Sequence, residues 1–247
     1  FIEELNNLKD VVLKNCKIIA ATAAQTYLKA EKFRMYDVVV LDESSMLSLP
    51  LISYVSGLAK ERVIISGDFR QLPPIVQTKD EVARKYLVTN IFKENGIEDT
   101  ISNQKKPNNL IQLKTQYRMD DNICKLINHR FYNGSLKQGK GAGKNKNKVY
   151  PTILKNTLML VDTTEERPFV NLKPKTFSRY NIVNAITIRN LCFHLYKEGF
   201  IKNISDIGVV TPYTAQAQLI SRICEEMEMK EVDVGTVHRF QGNEKDI

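Results

Sequence analysis

The sequence predicts an α/β protein built on parallel sheets. Short apolar runs rich in valine and isoleucine recur along the 247 residues, each followed by small or polar residues and then by a helical pattern. Several of these runs are apolar on both faces, which is typical of strands covered by helices on either side. The chain is also at or beyond the length at which one hydrophobic core divides, so we expect two domains.

The strands and helices can be placed in chain order. The predicted strands are residues 17–21, 37–41, 62–66, 110–113, 157–161, 207–211 and 232–234. Apolar residues at three- and four-residue spacing predict helices over residues 47–60, 121–131, 179–198 and 214–229. The polar tract 95–109, which includes Pro107, interrupts this alternation. We therefore expect one domain over residues 1–108 and a second over residues 109–247.

Composition excludes several classes of protein. Hydrophobic residues make up 43% of the chain and charged residues 26%, without a run of apolar residues long enough for a membrane span. Residues 1–10 lack the pattern of a signal peptide. The four cysteines are far apart and form neither a disulfide framework nor a zinc motif. Unpaired cysteines suit a reducing interior, so we expect a cytoplasmic protein, or a nuclear one in a eukaryote, that is not bound to a membrane.

The net charge of +8 is concentrated in one window. Residues 122–161 contain no acidic residue, and their basic residues account for the whole excess. The middle of the window, residues 137–148, is made of glycine, lysine and asparagine with few others, which predicts a mobile loop without a core. Two interpretations remain open: a solvated insertion, or a contact with nucleic acid.

Polar residues follow the predicted strands, and this matters because ligands bind beyond the carboxyl ends of parallel strands. Asp42 and Glu43 come directly after the apolar run 37–41. Asp42 could hold Mg²⁺, mostly through its water shell, because this ion needs only one or two carboxylates. Glu43 could then act as the base or orient an attacking water. Taken alone, the pair is a weak signal, because a solvated strand end often has the same sequence.

Longer sequence segments that contain or follow this carboxylate pair support a functional interpretation of it. They are Asp-Glu-Ser-Ser (42–45), Gly-Asp-Phe-Arg-Gln-Leu-Pro-Pro (67–74), Gln-Tyr-Arg-Met (116–119) with Phe-Tyr-Asn-Gly-Ser-Leu (131–136), Asp-Ile-Gly-Val-Val-Thr-Pro-Tyr (206–213) with Gln216, and Gly-Thr-Val-His-Arg-Phe-Gln-Gly (235–242) with Glu244. Together they resemble the successive motifs of superfamily 1 helicases of the Upf/Sen-like group. The resemblance runs from residue 20 to the last residue, and the conjunction is far more specific than any single motif.

The resemblance implies two RecA-like parallel-sheet motor domains, both incomplete, in an ATP-dependent helicase or translocase. Such a protein uses ATP and Mg²⁺ and moves 5′ to 3′ on single-stranded RNA or DNA, here as a monomeric motor. Gln71 matches the glutamine that senses the γ-phosphate, a role that suits an amide able both to donate and to accept. Arg118 matches an arginine that contacts the γ-phosphate, where a planar, permanent charge is needed. Tyr117 matches a residue that packs on the nucleotide base, and Glu244 one near its sugar; a core aromatic and a surface carboxylate are the alternatives.

The resemblance also implies a path for nucleic acid. Thr22, Thr211 and Thr236 match positions that touch phosphates of the strand, and such contacts position the strand without reading its sequence. His238 matches a less constant position, so a solvated or packed histidine is an equal alternative. Pro73, with the proline after it, would link the phosphate sensor rigidly to the nucleic-acid groove or would simply stiffen a loop.

Two expected elements are missing from the sequence: a glycine-rich phosphate-binding loop, and the arginine-bearing motif that should follow Glu244. A helicase of this group needs a glycine-rich loop with Lys-Ser/Thr before the first strand, and none is present. Residues 134–141 match that spacing except that a glycine stands where Ser/Thr must bind Mg²⁺, and they follow a predicted helix rather than a strand. We therefore interpret the chain as a fragment of a longer helicase and expect the 247 residues alone to hydrolyse little ATP. The competing hypothesis is a nucleic-acid-binding module with a decayed ATPase, against which the intact set of Asp42, Glu43, Gln71 and Arg118 argues.

Overall fold

The computed structural model describes residues 8, 11–13, 15–103, 105, 108–143, 157–245 and 247. The chain divides into two compact units, unit 1 (Phe1–Gln112) and unit 2 (Leu113–Ile247). Within the described part of the chain, no helix is long and apolar enough to cross a membrane.

Unit 1 is built around two parallel strands, β1 (Tyr36–Leu41) and β2 (Ala59–Ile65), paired so that Leu41 lies opposite Ile65. Both strands confirm the predicted runs, although β2 starts three residues earlier. Helix α1 (Ala23–Leu28) precedes them and α2 (Leu49–Ser56) connects them, followed by α3 (Glu81–Val88), α4 (Ile91–Glu94) and α5 (Ile97–Ser102). Helix α5 thus lies within the polar tract 95–109, in which the sequence predicts no element.

The core of unit 1 lies between α2 and one face of the sheet. Val39 and Leu41 point from β1 towards Ile52 and Val55 of α2, and all four are buried. Alternate residues of a strand face opposite sides, so Val40 lies on the other face, where it is 62% exposed. Among the described residues, β1 is thus covered on one face, whereas its apolar sequence predicted cover on both.

Unit 2 contains a second parallel pair, β7 (Gly208–Thr211) and β8 (Asp233–Thr236), in a register that places Thr211 opposite Thr236. Helices α7 (Ile182–Lys197) and α8 (Thr214–Glu225) pack on it, and the short α9 (Val237–Phe240) follows β8. Ile220 and Cys224 of α8 and Met229 beyond it are at the centre of this core, each with at most 1% exposure. The strands and helices predicted for this region are confirmed within a few residues at each end.

The first part of unit 2 is less regular. Helix α6 (Asp121–Phe131) matches its prediction residue for residue, and it lies between two short parallel strands, β3 (Thr115–Gln116) and β4 (Lys137–Gln138). An antiparallel hairpin, β5 (Asn171–Leu172) and β6 (Arg179–Tyr180), precedes α7. Of the loop predicted over residues 137–148, residues 144–148 lie outside the described residues.

Three predicted strands do not form. Residues 17–21, 110–113 and 157–161 carry no strand, and most of their apolar side chains are exposed, for example Ile18 and Leu160 at 90% each. A strand needs a neighbour to pair its backbone N–H and C=O groups, and these segments have none among the described residues. Each sheet among the described residues accordingly has two strands. The predicted α/β class with parallel strand pairs is confirmed, but larger sheets do not form among these residues.

Candidate nucleotide and nucleic-acid site

The carboxylate of Asp42 is held by the strand next to its own. Asp42 follows β1 and Ser66 follows β2, and the Ser66 hydroxyl donates a hydrogen bond to Asp42 Oδ1 at 3.1 Å. The backbone pairing continues past the strands: Ser66 N donates to Leu41 O at 2.8 Å, and Ser44 N donates to Ser66 O at 2.9 Å. Asp42 is exposed. It therefore presents an oriented, hydrated carboxylate at the carboxyl end of the sheet.

Glu43 occupies a backbone conformation that is uncommon for a residue with a side chain. Its φ of 50° and ψ of 39° are left-handed, and it precedes a tight turn over Ser44–Met46. The turn is anchored because Ser44 is fully buried and its hydroxyl donates to Leu41 O at 3.1 Å. The left-handed residue thus directs the exposed Glu43 side chain away from the line of the strand. Strain of this kind is common at functional sites.

Gly67 packs directly against the same turn. A Cβ added to Gly67 would lie 3.0 Å from the backbone nitrogens of both Ser44 and Ser45, and 3.1 Å from the ring of Phe92. These distances are shorter than ordinary van der Waals contacts, and backbone atoms cannot move aside cheaply. A glycine at this position is therefore what allows the loop after β2 to contact the turn that carries Glu43.

The side chain of Gln71 is oriented by Asp68. Gln71 Nε2 donates to Asp68 Oδ2 at 3.1 Å, while Asp68 Oδ1 accepts from the backbone of Arg70 at 3.1 Å. The backbone N–H of Gln71 also donates to the carbonyl oxygen of Asp68, at 3.0 Å. Gln71 is exposed, as is Pro73 two residues later. The loop therefore presents an amide held by an acidic neighbour in the same segment.

The donors of unit 1 suit Mg²⁺ better than other metals. Among the described residues, no group of three or more His, Cys, Asp or Glu side chains is arranged to hold a metal ion. Structural zinc and calcium sites need such groups, whereas Mg²⁺ is typically bound by one or two carboxylates and completed by water and substrate phosphates. A single oriented carboxylate, Asp42, fits this last pattern.

In unit 2 the structure brings together two residues from opposite ends of the unit. The Nε of Arg118, just after β3, forms an ion pair with Oε1 of Glu244, which follows α9. Both side chains remain largely exposed, Arg118 at 64% and Glu244 at 59%. Sequence motifs separated by more than half of the chain thus meet in one place.

Tyr117 lies beside this pair and is not a core residue. It is 66% exposed, and the Cδ1 and Cε1 atoms of its ring lie so close to Gly139 that a Cβ there would collide with them. Gln116 fixes the segment: its Oε1 accepts from Met119 N at 2.7 Å, and its Nε2 donates to Met119 O at 3.0 Å. The aromatic ring is therefore largely accessible to solvent.

The threonines that we predict to contact nucleic acid lie in different environments. Thr211 and Thr236 face each other at the ends of β7 and β8, where Thr211 is 6% exposed and Thr236 half-buried. Thr22 belongs to unit 1, where its hydroxyl accepts from Gln25 N at 3.3 Å and caps α1. His238 is exposed on α9. Two of the three threonines are thus adjacent, and the third also has a structural role.

Sequence reasoning missed Ser66 and Asp68, which orient Asp42 and Gln71. Their position was a usable signal, because both directly follow or lie just beyond β2, the strand beside β1. Unit 2 also contains three buried thiols, those of Cys124, Cys192 and Cys224. Burial, with a smaller effect of the nearby Cys224, raises the pKa of Cys192 to about 12, so Cys192 stays protonated and unreactive.

The matches to known protein families divide the chain into two parts. Residues 93–247 match one AAA domain family, and residues 2–79 match another AAA domain. The chain is 29% identical over 98% of its length to an uncharacterized ATP-dependent helicase of Methanocaldococcus jannaschii, of which it covers 36%. It is 28% identical over 96% of its length to a regulator of nonsense transcripts 1 homolog of Neurospora crassa, covering 21% of that protein. It is 29% identical, again over 96%, to a 5'-3' DNA helicase of Mus musculus, covering 12%.

The matches to two AAA domain models and the parallel sheets define an α/β protein of the AAA type. The chain belongs to the AAA domain family, as a superfamily 1 helicase of the Upf/Sen-like group. The resemblance inferred from the sequence motifs is thereby confirmed. The chain spans little more than a third of the length of these curated relatives, or less.

Proposed function

We propose that the chain is part of an ATP-dependent helicase that couples ATP hydrolysis to 5′–3′ movement along single-stranded nucleic acid. The observation that supports it best is the pair of exposed carboxylates at the end of β1, one fixed by Ser66 and the other projected by a left-handed residue. The two units would correspond to two RecA-like motor domains. The relatives named as ATP-dependent and 5'-3' helicases support the direction and the energy source.

Each proposed residue has a defined task. Mg²⁺ would supply charge neutralisation for the phosphates, and Asp42 would hold it through its oriented carboxylate. Glu43 would accept the proton of the attacking water, Gln71 would contact the γ-phosphate, and Arg118 would stabilise charge that develops on it. Tyr117 would pack on the base and Glu244 would lie near the sugar.

Nucleic acid would contact the rim of each unit. Thr211 and Thr236 would bind phosphates with neighbouring hydroxyl or backbone groups, and Thr22, Pro73 and His238 would contribute further contacts. Since these groups would contact the phosphates of the nucleic acid and not its bases, we expect little sequence preference. The relatives include a DNA helicase and a regulator of nonsense transcripts, so competition between matched RNA and DNA oligonucleotides is the assay that assigns the substrate. We propose a monomeric motor in the cytoplasm.

The test is Glu43→Gln in the full-length protein. ATP turnover stimulated by nucleic acid should be abolished, because an amide cannot take up the proton, while ATP binding should stay close to that of the wild type. Glu61→Gln makes the same chemical change at another exposed glutamate, in β2, and should leave turnover unchanged. Turnover of Glu43→Gln at the wild-type rate would refute the proposed role. A full-length wild type that binds nucleic acid without hydrolysing ATP would instead support the decayed module.

A further inference from the structure

A short hairpin in unit 2 carries a basic and aromatic surface. Strands β5 and β6 pair antiparallel, with Asn171 opposite Tyr180, and residues 173–178 connect them. The hairpin contains Lys173, Lys175 and Arg179 and no acidic residue. Indeed no acidic residue occurs anywhere from residue 167 to residue 197. The local field therefore favours a polyanion.

The turn of the hairpin exposes a large aromatic ring. Phe177 is 86% exposed, and its φ of 53° lies in the left-handed region, which a bulky aromatic residue rarely adopts. Burial does not explain the aromatic side chain, and glycine would meet the backbone geometry at lower cost. A ring held in water by a strained backbone is the type of outlier from which a binding role can be inferred.

Hydrogen bonds join the hairpin to the start of α8. The Ser178 hydroxyl accepts from Ala215 N at 3.0 Å, and Lys173 Nζ donates to Gln218 Oε1 at 2.7 Å. The half-buried pairing of Gln216 with Asn181 adds two bonds: its Oε1 accepts from Asn181 N at 2.6 Å, and its Nε2 donates to Asn181 O at 3.2 Å. Because α8 follows β7 almost at once, these bonds fix the hairpin relative to the end of that strand.

Arg179 connects the hairpin with the proposed strand path. Its guanidinium lies 5.7 Å from the centroid of the Tyr213 ring and donates to the Tyr213 hydroxyl at 3.0 Å. Tyr213 directly follows the Thr-Pro segment that contains Thr211, and its backbone N–H donates to the Thr211 hydroxyl at 3.4 Å. The positive charge of Arg179 is thus connected through Tyr213 to the threonine proposed to bind phosphate.

We propose that the hairpin 171–180 is an additional contact for single-stranded nucleic acid, in which a base stacks on Phe177 and the flanking phosphates contact Lys175 and Arg179. This inference rests on the proposed helicase function. Aromatic rings that stack bases beside basic side chains are the usual means of binding single strands without sequence preference. Charge favours this occupant over a protein partner, because the exposed apolar ring is flanked in the sequence by Lys175 and Arg179 and the hairpin has no acidic residue.

The first test measures the stacking contact in the full-length protein. Phe177→Gly removes the ring and also relieves the left-handed backbone, so the variant should fold at least as well as the wild type. We expect its Kd for a fluorescent single-stranded oligonucleotide to rise about 5-fold or more, the lower range for loss of one stacked base. Phe177→Tyr keeps a ring and should bind like the wild type. Tyr196→Ala removes an exposed aromatic ring from the far end of α7, about 20 Å from its start, and is the matched control.

The second test measures charge. Lys175→Gln should reduce the log–log salt slope of binding by about 0.7, the value for one phosphate contact on a single strand, whereas Lys197→Gln at the far end of α7 should not. If the wild type binds and hydrolyses ATP but Phe177→Gly binds as tightly, the hairpin proposal is wrong and the ring serves another partner, such as a protein. If the wild type neither binds single strands nor hydrolyses ATP, the helicase function fails and the hairpin proposal fails with it.

Discussion

The left-handed backbone at Glu43 predicts that stability and activity respond in opposite directions at this residue. A residue with a Cβ pays about 1–2 kcal/mol to adopt this conformation. Glycine avoids that cost but loses about 0.5–1 kcal/mol in additional chain entropy. Since the Glu43 side chain is exposed, little packing is lost on its removal. Glu43→Gly should therefore raise the free energy of unfolding by up to about 1.5 kcal/mol, while hydrolysis is lost.

Two further variants isolate the cause. Glu43→Ala removes the carboxylate but keeps the Cβ, so it should be about 1 kcal/mol less stable than Glu43→Gly, with equally little turnover. Glu61→Gly places glycine in the extended strand β2 and should be destabilising by about 0.5–1 kcal/mol. Urea unfolding at an unchanged m-value gives these differences from the midpoints. A Glu43→Gly variant less stable than Glu43→Ala would show that the strain argument is wrong.

Four other predictions concern packing, catalysis, a buried thiol and the lysine-rich loop. Gly67→Ala should lower the free energy of unfolding by about 1–3 kcal/mol, because its Cβ would press on two backbone nitrogens; equal urea midpoints would contradict this. Arg118→Ala should reduce ATP turnover by on the order of 10³-fold in steady-state kinetics of the full-length protein, and a loss of only a few fold would refute the phosphate contact. Burial raises the pKa of Cys192 from 9.0 to about 12, so the folded state favours the thiol. That stability is complete below pH 9 and is lost as the pH rises towards 12, which pH-dependent unfolding of Cys192→Ala against the wild type would measure. Replacing the lysines at 137, 140, 144, 146 and 148 by glutamine should flatten the salt dependence of binding by about 0.7 in log–log slope for each phosphate that the loop no longer binds, and an unchanged slope would identify a solvated insertion.

The elements that the sequence predicted well are those with local causes. Helix α6 begins after Asp120, whose side chain accepts from Asn122 N at 2.9 Å, and it carries apolar residues at helical spacing, so both its start and its extent are visible in the sequence. Strands β1 and β7 are apolar runs that pair with a neighbour in the same unit. The strands predicted at 110–113 and 157–161 had a similar composition but no such neighbour among the described residues. Composition favours a strand, whereas its formation depends on a partner that is often distant in the sequence.

The site shows the same difference between local and distant causes. The positions of Asp42 and Glu43 at a strand end followed from the pattern, and so did their exposure. The hydrogen bond from Ser66 to Asp42 depends on the register of two strands, and the pair of Arg118 with Glu244 depends on the closure of unit 2 over most of its length. Neither could be predicted from spacing. The left-handed conformation of Glu43 was also hidden, because glutamate gives no signal for it.

The ion pair between Arg118 and Glu244 would affect how the proposed site binds a nucleotide. Both side chains are more than half exposed, so water screens the pair and its contribution to stability is about 0–1 kcal/mol. That is enough to bias Arg118 towards one orientation and too little to hold it against a triphosphate, whose oxygens offer a stronger, charge-assisted partner. In the proposed site, Glu244 would therefore position the guanidinium before ATP binds and release it afterwards, which would leave the glutamate free for the hydroxyls of a sugar. A buried pair could not exchange in this way, because separating it would leave a charge without water or a partner.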